Sequence, residues 1–277
     1  MANSYEKIEL GSWSDFKALF DGNTYRSWAF RGQSDASWPL YSSLTRYLEN
    51  FHVHQDNWVG QERRILRIFR RKAHLLGTQL PDNDDSFEWL ALMQHHGAPT
   101  RLLDFTWSPH VAAFFALERA TGSAAVWAIC PPKLSTERFR TIRPSQETDA
   151  EEIGPWIRGN YERYFLPNQN KTVIIGEPHR MNQRLVAQSG TFVMPGVLNM
   201  SVERIVADQC SHGAIVKIVL LQSLRRDAMK ELYSMNITNA TLFPGMDGLA
   251  RSLGFELEFH WAFDPVTNEV YPGYRKD

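Results

Sequence analysis

Hydrophobic residues recur along this chain at two spacings, which predict two kinds of element. Apolar positions three and four residues apart predict helices over 13–20, 61–76, 87–96, 109–117 and 223–235, with a last helix beginning near Asp247. Short apolar runs predict strands over 27–31, 124–129, 172–176 and 215–221. Further strands are predicted around 184–190 and at 256–261.

Short strands mixed with helices predict an α+β fold with a mixed, mainly antiparallel sheet and flanking helices. Residues 1–277 are enough for one large domain or two small ones, and the sequence contains no internal repeat and no low-complexity tract. Residues 131–170 are largely polar and irregular, with an acidic run at 149–152. We expect this stretch to be an insertion or a lid.

Polar residues are concentrated in the segment 93–117, MQHHGAPTRLLDFTWSPHVAAFFAL. Ser108 is expected to cap the following helix through its hydroxyl, and Pro109 suits the first helical position. Arg101 and Asp104 lie among apolar neighbours, so we expect them to be buried together and to hold the shape of the loop. We expect His96, Ser108 and Arg31 to face a ligand in front of them. The N-terminus of a helix carries a partial positive charge, which suits an anion such as a phosphate.

Composition excludes several classes of protein. The net charge of −1 excludes a global attraction to nucleic acid or to an anionic membrane. The two cysteines, Cys130 and Cys210, exclude a disulfide framework. The first residues carry no signal-peptide pattern, and no stretch is long enough to span a membrane, so we expect a cytoplasmic protein that does not enter the membrane.

Arg31 is the first candidate for a binding residue. It lies at a predicted strand end beside Gly32, where the chain can turn or a ligand can approach closely. A guanidinium offers a planar pair of donors to a phosphate, so Arg31 is a candidate anion clamp. The alternative is a salt bridge to an internal carboxylate such as Asp104.

Two other features have alternative interpretations. The predicted helix 61–76 carries six basic residues and could bind a polyanion, or its arginines could lie along apolar neighbours on a solvated face. His95 and His96 have no further ligands at metal-binding spacing, so no metal is predicted. We expect one of these histidines to form hydrogen bonds within the core or to contact a substrate.

Four motifs together resemble a known family. The chain is similar to the FRG domain over about residues 8–253. The resemblance rests on the motifs Phe30-Arg31-Gly32, QHHGAPTRLLDFTWSP, NQRLVAQSGTFVM and FPGMDGLARSL. That family is bacterial and phage-associated and is found near mobile elements and near defence or toxin loci. The resemblance implies a single-domain cytoplasmic protein from such a setting.

A second resemblance is to ADP-ribosyltransferases of the Arg-Ser-Glu type. Phe30-Arg31-Gly32 resembles their aromatic-Arg-Gly strand, and Thr106-Trp107-Ser108 with the following helix resembles their Ser-Thr-Ser segment. The resemblance implies a transferase-like fold, with a split sheet as one form of it. It also implies that Arg31 holds the diphosphate or nicotinamide ribose of NAD and that Ser108 supports the nicotinamide side.

The position of the catalytic acid is open in this comparison. Glu258 matches it in the Glu256-Leu257-Glu258 motif, Gln188 is the other candidate, and Asp104 or Asp247 could supply the charge. The candidate catalytic residues are Arg31, His96, Ser108, Gln188 and Glu258. The candidate NAD-binding residues are Phe30, Arg31, Gly32, Gln33, His95, Thr106 and Trp107, with Arg101, Asp104 and Asp247 as supporting residues.

These observations support three hypotheses. The first is an NAD-consuming toxin or defence effector, an ADP-ribosyltransferase or NAD glycohydrolase, with NAD as substrate and no metal. Its acceptor is open between protein and nucleic acid, and an antitoxin or defence-system component is an expected partner. The second is a nucleic-acid-binding or nucleic-acid-processing protein that uses the 61–76 helix. The third is a non-catalytic sensor or binding module.

Overall fold

The computed structural model describes residues 5–134, 153–209 and 213–275. The strands are β1 Glu6–Leu10, β2 Ala29–Gln33, β3 Leu103–Thr106, β4 Ala124–Ile129, β5 Val173–Gly176, β6 Gly190–Pro195 and β7 Ile215–Leu220. The helices are α1 Trp13–Phe20, α2 Ser43–Asn50, α3 Trp58–Ala73, α4 Ser86–His95, α5 Pro109–Leu117, α6 Gln183–Ala187, α7 Val202–Gln209, α8 Arg225–Ser234, α9 Asn239–Leu242 and α10 Met246–Glu258. One-turn 3-10 segments lie at Gln55–Asn57 and Gln222–Leu224, and a π-helical segment lies at Tyr161–Phe165.

The seven strands form one sheet in the order β1-β7-β4-β2-β3-β6-β5. The β1–β7 pair is parallel, and the other five pairs are antiparallel. The prediction of an α+β fold with a mixed, mainly antiparallel sheet and flanking helices is therefore confirmed. The sheet is continuous in its hydrogen bonding, but β2 and β3 pair only through Phe30 and Thr106.

Successive side chains of each strand alternate between the two faces of the sheet, so the hydrophobic core has a part on each face. In β4, Val126 and Ala128 pack in one cluster with residues of α1, α5 and α8. The intervening Trp127 and Ile129 pack in another, with residues of α7. Successive side chains of a strand point to opposite faces, so a strand buried throughout must be covered on both sides. A separate cluster joins α3 and α4 to β5 and β6.

Helix α5 lies directly against β2, and the absence of a side chain at Gly32 makes this close packing possible. A Cβ atom at Gly32 would lie 2.0 Å from the carbonyl oxygen of Ala112 and 2.5 Å from the backbone nitrogen of Ala116. Gly32 was expected to permit a turn or the approach of a ligand. In the structure it permits the approach of the α5 backbone.

One predicted element is wrong in type, and another begins later than predicted. Residues 256–261 were predicted as a strand, but Glu256 and Glu258 lie in the last turn of α10. Arg184 was expected on or beside a strand and lies in α6, and Gln188 ends that helix before β6 begins. Helix α4 is capped by Asp85, whose carboxylate accepts from the Glu88 N–H at 3.1 Å.

The stretch expected to be an insertion or lid is only partly described, since residues 135–152 lie outside the described ranges. In its described part, Tyr161 and Phe165 are buried in the cluster that contains α3 and α4. Cys130 is buried with a free thiol, and Cys210 lies outside the described residues. Across 5–134, 153–209 and 213–275, no helix is long and apolar enough to cross a membrane.

Candidate functional site: the cleft between β2 and β3

A cavity of about 680 Å³ opens where the ladder between β2 and β3 ends. Its walls come from β2 and the loop after it, from α2, from β3, and from α5 and the α6 end. Its lining residues are Phe30, Arg31, Gly32, Gln33, Ser34, Trp38, Pro39, Tyr41, Arg46, Glu49, Asn50, Asp104, Phe105, Thr106, Phe115, Arg184 and Gln188. We call this cavity the β2–β3 cleft.

Arg31 connects the two strands where they no longer pair with each other. Its Nη1 donates to the main-chain oxygen of Asp104 at 2.6 Å and lies 4.0 Å from the Asp104 carboxylate. The Arg31 side chain is 19% exposed, and its buried Nε has no hydrogen-bond partner among the described residues. Burial lowers the pKa of Arg31, Asp104 opposes that shift, and Arg46 adds to it. Its surroundings therefore leave the guanidinium short of acceptors and negative charge.

Two further arginines contribute to the cleft. Arg46 of α2 donates through Nη1 to the Tyr41 carbonyl at 2.6 Å. The guanidinium of Arg184 in α6 lies 4.6 Å from the centre of the Phe243 ring. Burial lowers the pKa of both arginines, and Asp104 raises it in each case. The charge of Asp104 thus raises the pKa of all three arginines, and Arg31 is the one that lies 4.0 Å from its carboxylate.

Asp104 is held in position by neutral groups. Its carboxylate accepts from Gln94 Nε2 at 2.9 Å, and Gln94 Oε1 accepts from Thr100 Oγ1 at 2.6 Å. The Asp104 side chain is 50% exposed, so its carboxylate faces solvent at the cleft. An exposed carboxylate held by such a chain can meet positive charge that develops on a ligand.

Asp104 was expected to be buried together with Arg101. It is half exposed instead, and Arg101 pairs with Glu62. The Arg101 guanidinium is fully buried and forms a bidentate pair with Glu62 of α3, with Nε donating to Oε1 at 2.6 Å. It also donates to the Pro195 carbonyl at 3.1 Å. The expectation that Arg101 is buried and paired is confirmed, but its partner lies 39 residues earlier in the chain.

Thr106 and Gln188 join β3 to the end of α6. Thr106 Oγ1 donates to the Gln188 carbonyl at 2.7 Å, and Gln188 Nε2 donates to the Leu242 carbonyl at 2.9 Å. Both residues line the cleft, as do Phe30, Arg31, Gly32 and Gln33. The structure therefore brings these six candidate residues together.

The other candidate residues lie away from the cleft lining. Ser108 caps α5 as predicted, with its hydroxyl accepting from the Val111 N–H at 3.3 Å, but it does not line the cavity. Trp107 is partly exposed and donates from Nε1 to Glu177 at 2.6 Å. Glu258 forms an ion pair with Arg225 at 2.6 Å, on the side of α10 that meets α8. Asp247 is exposed in the first turn of α10.

The two histidines pack against each other behind the cleft rather than in its lining. Their ring centroids are 4.9 Å apart with a T-shaped arrangement. Burial lowers the pKa of His95, and His96 and Arg184 lower it further. His95 Nδ1 is buried without a hydrogen-bond partner among the described residues, whereas His96 is exposed. Within the described ranges, no group of three or more His, Cys, Asp or Glu side chains could hold a metal ion.

Sequence reasoning missed the contribution of α2. Arg46, Glu49 and Asn50 recur at helical spacing opposite the buried residues Leu44 and Leu48, so they share one exposed face. That spacing was the available signal. What the spacing does not specify is that this face looks toward β2 and β3.

The fold and the cleft define an α+β domain with an arginine-lined pocket where the pairing of β2 with β3 ends. Residues 26–124, which include β2, α2, β3 and α5, match the family model of the FRG domain. The match supports the FRG resemblance over residues 26–124, which contain the first two of the four motifs, whereas the other two motifs lie outside the matched range. Two cleft residues, Arg184 and Gln188, lie outside the matched range. No curated protein and no solved structure matches the chain.

Proposed function

We propose that the β2–β3 cleft binds NAD and that the protein consumes it, as an ADP-ribosyltransferase or an NAD glycohydrolase. The observation that carries the proposal is Arg31, a mostly buried guanidinium whose Nε is unpaired in the described structure, at the point where the pairing of β2 with β3 ends. A diphosphate supplies both the acceptors and the negative charge that this group lacks.

The remaining walls suit the other parts of a dinucleotide. Phe30, Trp38, Tyr41 and Phe115 supply aromatic surface, and Asn50 supplies an amide. The Gln33 amide is already paired, because it donates to the Pro39 carbonyl at 3.1 Å and accepts from Trp127 Nε1 at 2.7 Å. A pocket that combines apolar walls with a few polar groups is the usual form of a cofactor site, and 680 Å³ is within the range of such sites. Arg46 and Arg184 add positive charge on two further sides of the ligand.

Asp104 is the carboxylate that we assign to the reaction. When the bond between nicotinamide and ribose breaks, nicotinamide leaves with the bonding electrons and the ribose becomes cationic. A carboxylate aimed at that position stabilises the cation until water or an acceptor attacks it. Asp104 takes the role considered for Glu258, because Glu258 pairs with Arg225 and does not line the cleft.

The biological role follows from the chemistry. A protein that hydrolyses NAD or transfers ADP-ribose damages the cell in which it acts, so we propose that it serves as a bacterial or phage toxin or defence effector. An antitoxin or a further component of the defence system would then restrain it until it is needed.

Release of nicotinamide from NAD, followed by chromatography, tests the proposal. Arg31→Lys keeps the charge but loses the paired donors, and we expect it to lower the rate by about 100-fold or more. Arg26→Lys is the matched control, because Arg26 is exposed and lies outside the cleft lining. Wild-type protein that releases no nicotinamide, with water or with protein and nucleic-acid acceptors, would contradict the proposal.

A further inference from the structure

Helix α3 presents a strip of basic side chains on the side away from the core. Arg64, Arg67 and Arg71 recur three and four residues apart, so they form one line of about 10 Å along the helix. Arg63 and Lys72 flank that line, and all five side chains are exposed. Within the described structure none of the five forms an ion pair, so their charges are not neutralised by the chain itself.

Helix α2 presents two aromatic side chains to solvent. Tyr47 is 54% exposed and Phe51 is 64% exposed, and their ring centroids are 4.6 Å apart. They are one helical turn apart, so together they make a small aromatic surface. Exposed aromatic rings beside basic side chains are the combination that binds single-stranded nucleic acid, because bases stack on rings and phosphates pair with arginines.

Helix α2 is a neighbour of both α3 and the cleft. On α2, Leu44 and Leu48 pack with Trp58 and Ile65 of α3. The side chains of Arg46, Glu49 and Asn50 line the β2–β3 cleft. At 100° per residue, Tyr47 and Phe51 occupy the exposed part of α2 between these two faces. The basic strip of α3 and the aromatic pair of α2 therefore lie on two neighbouring helices, and we call their exposed faces together the α2–α3 surface.

We propose that this α2–α3 surface binds single-stranded nucleic acid, with phosphates along the Arg64–Arg67–Arg71 line and bases against Tyr47 and Phe51. The net charge of the chain is −1, so the attraction is local to this surface rather than global. Four of the five basic residues are arginines, whose planar donors suit phosphate. The proposal concerns binding alone and does not depend on the consumption of NAD.

Fluorescence anisotropy with a labelled oligo(dT) of about 15 nucleotides tests the proposal, since such lengths match typical single-strand sites. We expect saturable binding that weakens as salt rises. The triple variant R64E/R67E/R71E should abolish it, and R64A/R67A/R71A should reduce the slope of log affinity against log salt by about 2. The double variant Y47A/F51A should weaken binding by roughly tenfold or more while leaving that slope unchanged.

A second triple variant, R26E/K171E/K230E, is the matched control. It changes the net charge by the same amount, and its three residues are exposed and lie outside α2 and α3. Binding that the control retains while R64E/R67E/R71E loses it supports the proposal. Equal loss in both triple variants, no binding at low salt, or binding to anionic phospholipid vesicles but not to the oligonucleotide would overturn it. Circular dichroism of each variant confirms that the fold is kept.

The binding assay and the nicotinamide assay test the two proposals independently of each other. Nicotinamide release without oligonucleotide binding would overturn this inference and leave the proposed function standing. Oligonucleotide binding without nicotinamide release under any acceptor condition would do the reverse.

Discussion

Arg31 and Arg101 show how the partners of an arginine decide its role. Arg101 is enclosed by a bidentate carboxylate, the Pro195 carbonyl and the ring of Tyr161, whose centroid lies 5.7 Å away. Arg31 has one main-chain acceptor, a carboxylate at 4.0 Å and an unpaired Nε. The first arginine is satisfied by the fold, whereas the second is suited to complete its contacts with a ligand.

This difference predicts that two substitutions change the free energy of unfolding by unequal amounts. Glu62→Gln leaves the buried Arg101 without a carboxylate, so it should lower the free energy of unfolding by about 3–5 kcal/mol. Asp104→Asn should change it by less than about 1 kcal/mol, because the Asp104 side chain is half exposed. Urea denaturation measures both. A loss at Asp104 as large as that at Glu62 would show that Asp104 has a structural role instead.

The residue scale also shows what could be predicted from the sequence. The motifs of the sequence include Phe30, Arg31, Thr106 and Gln188, which line one cleft. Arg31 was expected at a strand end, but it lies in the middle of β2. The partner of Arg101 could not be predicted in this way. Glu62 is the acid of a helix whose other polar residues are mostly basic, but only the packing of α3 against α4 turns it toward Arg101.

At the scale of elements, the contact between α5 and β2 determines the shape of the cleft. The helix backbone touches the strand at Gly32, and the Ser108 cap fixes where the helix begins. Helix boundaries with a cap and a proline were predictable, because both signals are local. The strand expected at 256–261 was wrong because an alternating apolar pattern also arises on an exposed helix, as Leu257 is 83% exposed in α10.

Gly32→Ala tests the contact between α5 and β2. The added Cβ would lie within 2.5 Å of two backbone atoms of α5, which cannot rotate away, so we expect a loss of roughly 3 kcal/mol or more in stability. Gly60→Ala in α3 is the control. Its Cβ would meet nothing within 4 Å, and a helical alanine should stabilise the protein by about 0.5–1 kcal/mol. If Gly32→Ala melts at the wild-type temperature, the close packing is not what requires glycine.

Ser108→Ala separates capping from catalysis. The hydroxyl accepts from the Val111 N–H and does not line the cleft, so the substitution should cost about 1 kcal/mol of stability. The rate of nicotinamide release at a temperature where the protein is folded should stay within about twofold of wild type. A rate that falls at least tenfold in fully folded protein would show that Ser108 takes part in the reaction.

At the scale of the whole molecule, the described structure has two cavities that a ligand could enter. The β2–β3 cleft lies near the middle of the sheet, and a smaller cavity of about 230 Å³ lies between α8 and α10. The fold class followed from the mixture of strand and helix patterns. The strand order did not, because β1, β4 and β7 pair across long stretches of chain and periodicity says nothing about which strands are neighbours.

Hydrogen–deuterium exchange with and without NAD tests the central claim most directly, because it locates the ligand as well as detecting it. NAD should slow exchange in β2, in β3 and in α2, which line the cleft. It should leave α8 and α10, which line the smaller cavity, unchanged. Arg31→Lys should remove most of the protection. NAD that protects only α8 and α10, or that protects no part of the chain at saturating concentration, would contradict the account.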